Sequence, residues 1–199
     1  VVGFLEKPQT EAELEPVRTD PAWIDAHGLK SEGRDCLANM GIYIFDLELL
    51  DELLVEDAVL EDSAHDFGKN ILPTCVERRV GIRVHHFRES YWRDVGTIQS
   101  YWQANMDLLS PLPEFDLYDT DHRVHTRSAE APAVRLGRGA KVSESLLSNG
   151  SSVDGVVQRS VISPHVTIHS GAVVRDSIIF SDTVIKEGAV VDHAIIDKN

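Results

Sequence analysis

Residues 161–196 repeat on themselves at a fixed interval. Val161-Ile162, Ile178-Ile179 and Ile195-Ile196 stand 17 apart, as do Gly171-Ala172-Val173-Val174 and Gly188-Ala189-Val190-Val191, and Thr167-Ile168 aligns with Val184-Ile185. Such a period accommodates three short segments of about six residues with one side shortened, the signature of hexapeptide-like coils. A coil of that size buries its Val and Ile only by stacking on its neighbours, so the repeat predicts a β-helix. A β-sandwich would instead alternate between turn signals every ~8–12 residues, out of phase from one strand to the next. The coil before the repeat is looser, with Leu146-Leu147, Val153 and Val156-Val157.

From Val1 to about residue 110 the pattern changes to strands alternating with amphipathic helices, which predicts an α/β layer. Val1 to Leu5, Met40 to Phe45 and Val80 to Phe87 are rich in β-branched and aromatic residues and are expected as strands. Asp46 is placed to cap a helix carrying Leu47, Leu50, Leu53 and Leu54. A second helix is expected from Asp66 through Phe67, Ile71, Cys75 and Val76, kinked or restarted by Pro73. A third begins at Thr97 and buries Ile98, Tyr101, Trp102, Leu108 and Leu109. Pro8 to Asp35 is expected as a long surface loop with at most one short helix. Residues 111–132, punctuated by Pro111, Pro113 and Pro132, are expected to link the two halves.

Composition excludes several function classes. With 19 Lys+Arg against 33 Asp+Glu and a net charge of −14, the chain lacks the clustered cations that a phosphate backbone requires, so nucleic acid is not an expected partner. No apolar run approaches the roughly 18 residues of a spanning helix, so no membrane partner is expected. Cys36 and Cys75 are too few for a disulfide framework or a zinc site, which fits a reducing, cytoplasmic setting. A strand at the first residue and a coil interrupted at Asn199 suggest a chain cut at both ends.

Most constellations that carry chemistry are missing. There is no Walker motif and no nucleophile elbow, and Gly137-Arg138-Gly139 lacks the strand-to-helix context of a phosphate cradle, so turn glycines are expected. His85-His86 and His65-Asp66 lack further ligands at metal spacing and are expected to be packed or solvated. Glu6-Lys7-Pro8 places a carboxylate and an ammonium after a strand, either a solvated strand end or a ligand-binding edge. Asp94, between Trp92 and the helix start at Thr97, is either a first-turn acid or a carboxylate that holds a cation.

Taken in order, Glu6-Lys7-Pro8, Leu37-Ala38-Asn39-Met40-Gly41-Ile42-Tyr43, His65-Asp66-Phe67-Gly68-Lys69 and Tyr91-Trp92-Arg93-Asp94-Val95-Gly96-Thr97, then Tyr101-Trp102 and a β-helix, resemble the bacterial glucose-1-phosphate adenylyltransferases, or ADP-glucose pyrophosphorylases. The likeness runs over essentially the whole chain and over the later part of such enzymes. It implies part of a Rossmann-like nucleotidyltransferase domain without its N-terminal half (1–110), a linker (111–132) and a left-handed parallel β-helix (133–199).

The resemblance also implies a reaction, ATP and α-glucose 1-phosphate giving ADP-glucose and diphosphate in glycogen biosynthesis. By this likeness Lys7 holds the sugar phosphate and Glu6 accepts glucose hydroxyls. Tyr43, Asp66, Phe67 and Trp92 line the sugar pocket, and Asp94 is both a substrate-site carboxylate and the ligand for Mg2+. Asn39 stands where the family pattern has serine, keeping a donor and an acceptor in a bulkier side chain. The family's glycine-rich nucleotide loop and catalytic aspartate have no counterpart in these residues, so turnover by this chain alone is not expected. Small-molecule effectors and a homo-oligomer, a tetramer in the family, are implied partners. Arg159, His165, Arg175 and Lys186 are the cations of the β-helix, and solvated edge charges are the expected role for them.

Two other classes fit parts of the sequence. A non-catalytic regulatory or assembly subunit of the same family would keep the fold, but the retained Glu6, Lys7, Asp66 and Asp94 weigh against it. A hexapeptide acyltransferase would draw on His165, His169 or His193 and leave the α/β half unexplained.

Overall fold

The computed structural model describes residues 1, 3–87, 91–126 and 130–197. They form two compact units, Val1–Glu89 and Ser90–Asn199.

In the first unit, helices form where the caps stand. Asp46 accepts the amides of Glu48 and Leu49 and opens α3 (Leu47–Ala58), which follows α1 (Glu11–Leu14) and α2 (Pro21–Ala26). Asp66 accepts the amides of Gly68 and Lys69 at the head of a π-helical turn, Phe67–Ile71, that runs into α4 (Leu72–Glu77). The break falls where Pro73 removes an amide donor, so the predicted restart is borne out. The core of this unit is Leu53, Ile71 and Cys75, with Phe45, Leu49, Val80 and Ile82 packed against it. Burial there raises the Cys75 thiol above its usual range. On α3 Leu53 and Asp57 are buried with Leu49 packed beside them, so of the expected leucines Leu53 enters the core, while Leu47 is 78% and Leu54 42% exposed.

Two expectations for this unit are corrected. None of the described residues in Val1 to Leu5, Met40 to Phe45 or Val80 to Phe87 enters a strand ladder, and Ile44 is 99% exposed. The physical reason is that β-propensity acts only through a paired neighbour. Among the described residues of this unit the pairing found is one antiparallel bridge, Arg18 to Cys36. The Pro8 to Asp35 stretch is also more ordered than a loop with one helix. It holds α1, a 3-10 turn at Glu15–Val17 and α2, and Arg18 gathers Glu11, Glu15 and Asp35 around its guanidinium.

The second unit opens with α5 (Ile98–Asp107), where Thr97 and Ser100 form a reciprocal capping box. Trp102 donates its indole N–H to the Asp176 carbonyl at 2.7 Å, and the Tyr101 and Phe180 rings lie 6.2 Å apart. Ile98, expected in the buried set, is 81% exposed: it is the first residue of α5 and lines an open depression with Trp102, His193 and Ile195.

The remainder is a parallel β-solenoid, as the repeat predicts. Its strands are β1 (Arg135–Leu136), β2 (Lys141–Ser143), β3 (Leu146–Leu147), β4 (Ser152–Val153), β5 (Val156–Gln158), β6 (Val161–Ile162), β7 (Thr167–Ile168), β8 (Val173–Arg175), β9 (Ile178–Ile179), β10 (Val184–Ile185), β11 (Val190–Asp192) and β12 (Ile195–Ile196). They stack into three 4-stranded sheets, β1-β4-β7-β10, β2-β5-β8-β11 and β3-β6-β9-β12. Val153, Val157, Ile162, Val166, Ile168, Ala172, Val174, Ile179 and Ile185 fill the interior. Burying each Ile contributes on the order of 1.5–3 kcal/mol.

The looseness of the early repeat has a definite cause. Val156 pairs with Val173, 17 residues on, but Lys141 pairs with Val156, only 15 on. The two missing residues fall at the corner Asp154-Gly155, where later coils have a longer turn. A Cβ at Gly155 would sit 2.5 Å from the Ala172 carbonyl oxygen, so only glycine fits this tight corner.

A second corner is built the same way in each coil. Glu144, Arg159, Asp176 and His193 take left-handed backbone at φ 48, 47, 46 and 48°. Serine follows three of them. Ser145, Ser160 and Ser177 each donate to the carbonyl two residues back, and each accepts the amide of the equivalent residue one coil on. The hydroxyls satisfy the polar groups that these corners would otherwise bury unpaired.

Candidate functional site

In the first unit most of the predicted residues converge on the turn at Asp66. The Glu6 carboxylate lies against it: a Cβ on Gly68 would come within 2.3 Å of Glu6 Oε2. Glu6 is half-buried, while Lys7 beside it is open to solvent with its ammonium 3.7 Å from Glu6 Oε1. Lys7 holds left-handed backbone at φ 47°, which turns the chain where the expected strand would have ended.

Asp66 spends one carboxylate oxygen, Oδ1, on the Gly68 and Lys69 amides at 2.8 and 2.9 Å. Phe67 stacks on Tyr43 with centroids 5.8 Å apart and planes 16° from parallel, and Phe45 tilts against Phe67 at 5.8 Å. Asn39 donates its amide to the Tyr43 hydroxyl, and its Oδ1 accepts the Gly41 amide at 3.0 Å. Glu6, Asn39, Tyr43, Asp66 and Phe67 thus present acceptors, a phenol and aromatic faces. Such a mixture suits a polyhydroxylated ring, polar atoms meeting hydroxyls and aromatic rings meeting C–H faces.

Trp92 and Asp94 belong to the second unit. Trp92 is 46% exposed, and Asp94 is exposed with Oδ1 accepting the Gly96 amide at 2.9 Å just before the α5 cap. An open carboxylate of this kind suits a hard cation such as Mg2+, which takes one or two protein carboxylates and completes its shell with phosphate and water. Among the described residues one group of three His or acidic ligands lies close enough to share an ion, Asp176, Asp192 and His193, and Asp176 is already paired with Arg159.

One network here was not anticipated. Asp57, only 9% exposed on the last turn of α3, accepts from Ser63 Oγ at 2.7 Å and pairs with His65 Nδ1 at 2.8 Å. The Ser63 hydroxyl first, and His65 second, hold the Asp57 carboxyl below its usual range. With Leu54, Ala58, Phe67 and Ile71, Asp57 and His65 line a cleft of about 260 Å³. The available signal was the spacing of Asp57, four residues after the buried Leu53 on the same helical face. His85 is solvent-exposed, while His86 packs edge-on to Trp23 at 6.1 Å, as expected of packed or solvated histidines. Gly137 to Gly139 form a turn between β1 and β2, as expected.

Residues 1–111 match the model of the nucleotidyl transferase family. The chain belongs to that family. Residues 129–199 match a second model, the GlmU-like C-terminal hexapeptide, over the solenoid. Curated relatives agree. The chain is 44% identical over 160 residues to a glucose-1-phosphate adenylyltransferase of Acetivibrio thermocellus, covering 80% of this chain and 37% of that protein. It is 40% identical over 177 residues to glucose-1-phosphate adenylyltransferase 2 of Vibrio cholerae, covering 82% and 43%. A glucose-1-phosphate adenylyltransferase of Thermotoga maritima is 42% identical over 153 residues, covering 76% and 36%. The chain therefore spans between 36% and 43% of the length of these relatives. Among its described residues, no helix is long and apolar enough to cross a membrane.

Proposed function

We propose that this chain is the sugar-phosphate-binding part of a glucose-1-phosphate adenylyltransferase, with residues 1–110 forming the sugar-binding half, 111–132 the linker and 133–199 the solenoid. The observation that carries the reading is the single turn at Asp66, where Glu6 lies against Gly68 and Phe67 stacks on Tyr43. The names of the relatives supply the substrate class. In the reaction an oxygen of the glucose 1-phosphate phosphate forms a bond to the α-phosphorus of ATP, and the bond from that phosphorus to the bridging oxygen breaks, releasing diphosphate. Phosphoryl chemistry of this type is accelerated by positioning and charge neutralisation.

In this reading Lys7 is the point charge for the sugar phosphate, and its exposure leaves the ammonium available. Glu6, Asp66 and Asn39 hold glucose hydroxyls, and Tyr43 and Phe67 offer apolar faces to the ring. Asp94 would hold Mg2+, which supplies charge neutralisation on the phosphates when bound. Small-molecule effectors, a homotetramer and a cytoplasmic setting complete the proposal.

Titration calorimetry of the 199-residue chain with glucose 1-phosphate tests it. Binding is expected, weakened about tenfold or more by Lys7→Ala, since one charge-assisted contact is worth ~1.5–3 kcal/mol. Unchanged affinity in Lys7→Ala would remove that residue from the phosphate site, and no binding by the wild type would overturn the reading.

A further inference from the structure

We propose that Asp57 and Ser63 form, with His65, a positioning network that sets the loop delivering Asp66 and Phe67. The inference rests on the reading of those two residues as part of the sugar pocket.

The geometry is specific. Asp57 closes α3, a helix end with no basic residue in its last turn, so the carboxylate faces the negative end of the helix dipole. A buried anion there requires partners. They arrive from the loop: Ser63 Oγ takes one carboxylate oxygen, Oδ1, and His65 Nδ1 takes the other, Oδ2. Ser63 Oγ also accepts the His65 amide at 3.0 Å, so the three residues are closed into one set. His65 is held in left-handed backbone at φ 51°, a conformation costly for a residue with a Cβ. The next residue is Asp66, whose cap starts the π-helical turn, and after it comes Phe67, stacked on Tyr43. Fixing the His65 ring to Asp57 thus fixes the backbone twist that aims both groups. Phe67, His65 and Asp57 line one cleft, so the network borders the same space as the ring that stacks on Tyr43. His65 acts through its neighbours; its bonded nitrogen is Nδ1, turned toward the protein.

Two substitutions separate a positioning role from substrate contact. The Asn side-chain nitrogen occupies the place of Nδ1, whereas that of Gln reaches the place of Nε2. Two readouts are taken on the whole chain: hydrogen exchange at the Gly68 and Lys69 amides, which report the Asp66 cap, and calorimetric binding of glucose 1-phosphate. Asp57→Asn and His65→Gln are expected to speed that exchange and to weaken binding about tenfold each. His65→Asn is expected to rescue most of both. Wild-type exchange in Asp57→Asn would overturn the proposal, and so would rescue by Gln in place of Asn. If the wild type takes up no glucose 1-phosphate, the sugar-pocket reading fails, while the exchange measurement still decides whether the network sets the turn.

Discussion

Gly68 is the residue on which the site depends most closely. It is buried in the π-helical turn, its amide is taken by Asp66, and the Glu6 carboxylate fills the space where a side chain would begin. Its backbone is helical, so alanine is tolerated by the turn itself and gains helix propensity of ~0.5–1 kcal/mol. We expect Gly68→Ala to leave thermal stability within about 1 kcal/mol while displacing the Glu6 carboxylate and weakening glucose 1-phosphate binding at least severalfold, read by calorimetry beside a melting curve. At this scale the sequence was informative where a motif stood in order, and Glu6, Tyr43, Asp66 and Phe67 do gather. Its one signal for Asp57, the spacing from Leu53, was weak, because a lone acid on a helix face is ordinarily solvated. Only the fold brings Ser63 and His65 back to it.

Elements were legible in proportion to how local their causes are. Caps are local: Asp46, Asp66 and Thr97 each open the helix they were expected to open. The coil repeat is nearly so, since each strand pairs one turn away. The strands expected in the first unit depend on partners distant in sequence, and β-branched composition alone did not make them pair. The serine positions of the solenoid are a middle case. Ser145, Ser160 and Ser177 follow the coil spacing of 15 and then 17, but the shortened corner hid the phase. Ser177→Ala removes the donor to the Arg175 carbonyl and the acceptor of the Ala194 amide. A loss of ~1–3 kcal/mol is expected in chemical denaturation, because the groups left behind are shielded from water.

Across the whole molecule, the two units hold together by different means, and acid should distinguish them. Arg18 holds the Asp35 carboxyl below its ordinary value, and Ser63 with His65 does the same for Asp57; both residues lie in the first unit. A depressed carboxyl contributes stability that is complete above the ordinary value of 3.8 and drains away as pH falls through the lower folded value. The solenoid rests on an aliphatic interior that no proton reaches. We therefore expect amide protection around Leu53 and Ile71 to fall as pH drops below the ordinary carboxyl value of 3.8, ahead of that at Ile162 and Ile179, in exchange measured by mass spectrometry. Protection lost first in the solenoid would contradict this.

The stacking interval of the solenoid carries a kinetic consequence. Every ladder joins residues 15 or 17 apart, so no strand must search far along the chain for its neighbour. Closing loops of that size takes well under a microsecond, and low contact order favours rapid folding even in an all-β unit. Parallel sheets are ordinarily slow to assemble because their strands meet across long crossovers. Here one coil, once formed, templates the next, and growth proceeds like a zipper from whichever turn closes first.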